Sequence, residues 1–150
     1  IDACRRHPLA RAMRVDKMTL AALEATLRAY TEGTAMEEVP TMERIFRPLE
    51  RLKNQGEELC CRLREQGVAC ECVDVEDQVG GGSVPMELLP GCAVSILPGE
   101  KAVEALEAAM RQGEPPVIGR VDHGRYLLHM RTLCEEDYPC IAQRAKEALL

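Results

Sequence analysis

Tryptophan is absent from this 150-residue chain, phenylalanine occurs once (Phe46) and tyrosine three times. So few aromatic rings exclude base-stacking RNA-binding sheets and single-strand grooves, which need aromatic platforms. A basic excess is also missing: 19 Lys and Arg face 25 Asp and Glu, for a net charge of −6. That balance argues against a main nucleic-acid surface, although a local basic cluster can still act. No apolar run approaches the ~20 residues of a membrane-spanning helix. The start, Ile-Asp-Ala-Cys-Arg-Arg, lacks the apolar core of a signal peptide. The expectation is a cytoplasmic protein with no membrane partner. The chain opens on Ile1 rather than Met, which suggests a fragment or processed piece.

Cysteine is abundant, but the Cys-x-x-Cys pairing of zinc sites is not found among Cys4, Cys60, Cys61, Cys70, Cys72, Cys92, Cys134 and Cys140. Cys60 and Cys61 would point to different sides of a helix, and three isolated histidines (His7, His123, His129) do not complete a ligand set. The thiols therefore read as small hydrophobes in a reducing compartment. With 46% apolar and 29% charged residues, the composition is that of a globular chain long enough for one sizeable core.

Asp16 is suited to cap a helix running to about Tyr30, with Leu20, Leu23, Leu27 and Tyr30 on one face and Gly33 as its stop. Thr34 to Pro40 reads as a connector. A second long helix is expected from Thr41 to about Gln66, closed by Gly67, with Pro48 forcing a kink or restart near Arg47 and Gly56 disturbing the period. The pattern then shortens. Strands are expected at Val68–Val75, Ala93–Leu97, Val117–Val121 and Tyr126–Thr132, with helices at about 100–112 and 135–148. Asp122-His123-Gly124-Arg125 is a hairpin signal. Two long helices followed by β, β, α, β, β, α imply an α+β fold: a mostly antiparallel sheet with helices on one face.

Four groups invite chemistry. Arg11 and Arg14 precede the first capped helix; if 9–14 form a helical turn they share a side and suit an oxyanion, against the plainer reading of a solvated basic end. Gly80-Gly81-Gly82-Ser83 can turn backbone amides toward an anion, but it lacks both the P-loop ending and the dinucleotide fingerprint, so a flexible connector is the default. Arg120 and Arg131 sit on the strands flanking the hairpin turn, where they can hold a carboxylate or phosphate or simply protect a sheet edge. Lys17, at a helix N-terminus that disfavours positive charge, is a poor Schiff-base candidate.

Longer strings carry a resemblance. His7-Pro-Leu-Ala-Arg-Ala-Met-Arg-Val-Asp-Lys-Met-Thr-Leu-Ala-Ala-Leu-Glu-Ala-Thr-Leu-Arg-Ala-Tyr30 resembles the start of the C-terminal part of the bacterial selenocysteine synthase family, the L-seryl-tRNA(Sec) selenium transferases. Glu38–Thr41, Gln78–Pro85, Pro115–Arg120 and Leu127–Thr132 recur in the family's order. The additional cysteines, Pro48, and His129 where an acidic residue is expected depart from its pattern.

The resemblance implies the small C-terminal domain of a fold type I pyridoxal-phosphate enzyme. Residues 1–33 would be the connecting segment and long helix that follow the large domain, and 34–150 the small α+β domain. The Schiff-base lysine would lie upstream, leaving this segment inactive alone. The implied activity is conversion of seryl-tRNA(Sec) to selenocysteinyl-tRNA(Sec) with selenophosphate. Arg11 and Arg14 match family arginines associated with the anionic selenium donor. Arg120, Arg131, Gly81, Gly82 and Ser83 are further substrate-binding candidates, and no metal is implied. Expected partners are the protein's own large domain and further copies of itself, in a homo-oligomer. The alternatives are a paralogous pyridoxal-phosphate lyase acting on a small amino acid or amino sugar, and a non-catalytic α+β binding or oligomerisation module.

Overall fold

In a computed structural model, residues 1–80, 86–99 and 101–150 are described. They form two compact units, residues 1–46 and 47–150.

The first unit is helical. It holds α1 (Asp2–Arg6), α2 (Pro8–Ala12), α3 (Lys17–Glu32), α4 (Ala35–Glu38) and α5 (Pro40–Phe46). The caps of α3 are those its sequence dictates. Asp16 Oδ1 accepts from the amides of Met18 (2.8 Å) and Thr19 (3.0 Å), and Gly33 ends the helix at φ +81°. These amides, together with the Thr19 hydroxyl, hold the Asp16 carboxyl below its usual range. Only Ala29 of α3 is buried; Leu20, Leu23, Leu27 and Tyr30 are each about half exposed. The stretch expected as a connector contains α4, and Pro40 rather than Thr41 opens α5.

The second unit begins where Pro48 breaks the helical run. α5 stops at Phe46 and α6 (Leu49–Glu65) restarts behind Pro48, which cannot donate the amide needed to continue the ladder. Gly67, at φ +80°, closes this region. β1 (Cys70–Gln78), β2 (Leu88–Ile96), α7 (Val103–Gln112), β3 (Arg120–Asp122), β4 (Arg125–His129) and α8 (Tyr138–Leu149) follow. The sheet is antiparallel throughout, in the order β1-β2-β4-β3. Alternate residues Cys92, Val94, Ile96, Tyr126 and Leu128 face Leu52, Leu59, Leu63, Leu106, Met110, Ile141 and Ala145 of α6, α7 and α8 in one core. Among the described residues, no helix is long and apolar enough to cross a membrane.

Several strand limits differ from expectation. β2 starts at Leu88 and runs through Pro90. Proline is tolerated there because β4 pairs with β2 only from Ala93 onward, so no ladder bond is asked of Pro90 on that side. β1 is displaced toward Gln78, and β3 is cut to three residues. β4 gives way to a 3-10 turn, Met130–Thr132, and a second such turn, Glu135–Asp137, leads into α8. The β3–β4 turn forms as expected, with His123 at φ +48° and Gly124 at φ +72°.

Gly119 admits the Tyr126 ring: a Cβ there would lie 2.4 Å from it. The phenol beneath donates to the carbonyl of Val117 at 3.1 Å, and burial pushes its pKa up to about 12.

Candidate functional site

The described candidate residues fall into two groups, one in each unit. In the first, His7 caps α2 by accepting from the Leu9 amide at 3.2 Å, and Pro8 occupies the first turn. α2 stops at Ala12, with the Met13 amide bonded to the Leu9 carbonyl, so the helical turn expected through residue 14 is cut short. Arg11 leaves from the last turn of α2 and Arg14 from non-helical backbone just before the Asp16 cap. Both are exposed, and among the described residues neither guanidinium has a hydrogen-bond or ion-pair partner. Lys17 is exposed at the first position of α3.

The second group lies on the sheet face away from the helices. Asp77 of β1 reaches across β2 to β4 and the turn beyond it. Its Oδ1 pairs with His129 Nδ1 at 2.7 Å, and its Oδ2 accepts from Arg131 Nε at 2.7 Å. Arg131 Nη2 also donates to the Pro90 carbonyl at 2.7 Å. The crossing requires Gly91, because a Cβ there would lie 2.3 Å from Asp77 Oδ2. The Asp77 and Arg131 side chains are only 8% and 10% exposed, so their charges need each other. Burial alone would raise the Asp77 pKa; the hydrogen bonds and charges of His129 and Arg131 outweigh it and leave the carboxyl below its usual range. An ionised carboxylate only accepts, so His129 Nδ1 carries the proton. His129 Nε2 is buried with no partner among the described residues.

Arg131 therefore ties Asp77, before the glycine-bearing connector, to Pro90 after it. Arg120 behaves differently. It is exposed, has no ion-pair partner among the described residues, and lines two adjoining cavities of about 450 and 330 Å3. Gln78, Leu127 and His129 line both as well. Gly81, Gly82 and Ser83 lie outside the described residues.

In the sequence His129 is an isolated histidine, and nothing marks Asp77 as its partner. Arg131, expected on a strand, lies instead in the 3-10 turn that follows His129, and the two-residue spacing still brings both side chains to Asp77. Nothing local in the sequence points from Asp77 to them, because that contact spans 52 residues of chain.

The family model described as L-seryl-tRNA selenium transferase matches residues 1–134. The chain belongs to this family. Among curated L-seryl-tRNA(Sec) selenium transferases, it is 37% identical to that of Hyphomonas neptunium over 100% of its length, 38% to that of Geobacter sulfurreducens over 98%, and 40% to that of Maridesulfovibrio salexigens over 99%. In each case it spans 33% of the relative, so the chain corresponds to about a third of a selenium transferase. Arg11, Arg14, Arg120 and Arg131 all fall within the segment matched by the family model.

Proposed function

We propose that this chain is the C-terminal portion of a cytoplasmic, pyridoxal-phosphate-dependent selenium transferase of fold type I. The full-length enzyme would convert seryl-tRNA(Sec) to selenocysteinyl-tRNA(Sec) with selenophosphate, as a homo-oligomer whose large domain carries the Schiff-base lysine. Family membership supports this, as does the α3 stripe of Leu20, Leu23, Leu27 and Tyr30, which nothing in residues 1–46 covers. An apolar face of that kind suits packing against further polypeptide.

The cofactor supplies an electron sink when bound. In this proposal the Schiff-base lysine belongs to the large domain rather than to Lys17, which is exposed at the first position of α3. What this chain offers is anion binding. Arg11 and Arg14 bind and orient the anionic selenium donor, each planar fork presenting paired N–H groups to oxygens. Arg120 is a further substrate contact. Arg131 acts through Asp77, keeping in place the two stems that flank Gly81, Gly82 and Ser83.

The observation that carries this reading is the pair of exposed guanidiniums, three residues apart in a family segment, that have no counter-ion among the described residues. In the full-length enzyme, Arg11→Ala or Arg14→Ala should lower kcat/KM for selenophosphate about 10- to 100-fold, the loss of one or two charge-assisted hydrogen bonds. The melting temperature should not move. A large fall in melting temperature would assign the arginines to structure instead. A full-length enzyme inert toward seryl-tRNA(Sec), but releasing ammonia from a small amino acid or amino sugar, would replace the transferase with a lyase.

A further inference from the structure

Beneath the sheet, three thiols meet around a missing side chain. Gly56 of α6 is buried, and a Cβ on it would lie 2.9 Å from Cys72 Sγ and 3.0 Å from Cys92 Sγ. One turn further along α6, Cys60 Sγ is 3.6 Å from Cys72 Sγ. The three differ in access. Cys60 and Cys92 are buried, whereas Cys72 is half-buried; Cys72 lines a surface cavity of about 240 Å3 with Lys53, Glu57 and Asp74, and the less exposed Cys92 lines it as well. Cys70, the other buried thiol nearby, turns toward the Cys60 carbonyl.

We propose that Cys72 is a peroxide-oxidisable thiol and Cys60 its resolving partner. Peroxide enters from the cavity and oxidises Cys72 to the sulfenic acid, releasing one water. The Cys60 sulfur then attacks the Cys72 sulfur, the S–O bond breaks, and the hydroxyl leaves as a second water. Two thiols lose two electrons, and one peroxide is reduced to two waters. The sulfurs must close from 3.6 Å to about 2.05 Å, linking α6 to β1.

Register decides against Cys92 as the partner. Cys72 faces Val94 and Cys92 faces Asp74, so the two cysteines are diagonal neighbours on adjacent strands. Such positions stand about 7–8 Å apart, beyond the usual Cα separation of a disulfide. Burial raises the pKa of all three thiols, that of Cys92 to about 12, so little thiolate is present at neutral pH and the reaction is slow.

The test is treatment of the full reduced chain with hydrogen peroxide at pH 8.5, alkylation of the remaining thiols, and mass analysis of the monomer after cleavage at glutamates. This places Cys72 in peptide 72–76, Cys60 with Cys61 in 59–65, Cys70 in 66–71 and Cys92 in 88–100. The expected product is a cross-link between 59–65 and 72–76, two hydrogens lighter than the separate peptides, with Cys70 and Cys92 alkylated. It should persist in Cys61→Ser, whose altered side chain is exposed. Loss of the cross-link in that variant would overturn the proposal. So would Cys72 advancing to the sulfinic acid uncrosslinked, Cys72 remaining fully alkylatable, or a cross-link from 72–76 to the Cys92 peptide.

Discussion

Residues 1–46 and residues 47–150 both contain helices with a regular apolar period, but only the second set buries it. In α6 the periodic residues Leu52, Leu59 and Leu63 are fully enclosed, and β1, β2 and α8 supply the opposing faces. In α3 the equally regular Leu20, Leu23 and Leu27 remain about half exposed. Amphipathic spacing states that a helix has a face to bury; it does not state what buries it. That difference makes the first unit the natural place for packing against other polypeptide, and the second a body with its own core.

The comparison breaks first if the core of residues 47–150 tolerates truncation. Leu59→Ala should cost about 4 kcal/mol, combining lost transfer energy with a cavity between helix and sheet. Urea unfolding followed by circular dichroism measures it. A cost below about 1 kcal/mol would mean that the site collapses freely and that the enclosure of α6 is not decisive.

The polar network on the opposite sheet face should come next. Asp77→Ala leaves Arg131 and His129 without their shared anion and should cost about 3 kcal/mol. Asp77 has a folded pKa below its unfolded value, so its contribution is complete above the unfolded pKa, about 3.9, and is lost as pH falls through the folded one. Unfolding free energies measured from pH 6 down to pH 2 should therefore show a steeper acid limb in the unaltered chain than in Asp77→Ala. Equal limbs would remove Asp77 from the acid response.

What could be read from the sequence follows the range of the interactions involved. The α3 caps at Asp16 and Gly33, the break at Pro48 and the Asp122–Arg125 turn all depend on residues within a few positions of each other, and all formed where their chemistry put them. The limits of β1 and β2 did not follow. Gly91 and Pro90 look like strand breakers locally, yet Gly91 makes room for Asp77 and the Pro90 carbonyl receives Arg131. Those reasons come from residues tens of positions away. At the candidate site, Arg11, Arg14 and Arg120 were legible as candidate anion contacts, and the structure leaves all three exposed. The Asp77–His129–Arg131 network was not, because sheet order alone brings β1 within reach of β4 and the turn that follows it.

The smallest effect is expected where the two units differ most. Leu23→Ala removes the same atoms as Leu59→Ala, and the shortened side chain remains compatible with α3. Because Leu23 is already half in water and touches no enclosed core, the change should fall within about 0.5 kcal/mol in this chain. In the full-length protein the same substitution should cost about 2 kcal/mol if the α3 stripe is covered there. Parallel unfolding of the two proteins reads both values. Equal, near-zero costs would show that the stripe stays in solvent, leaving the apolar period of α3 without a packing role.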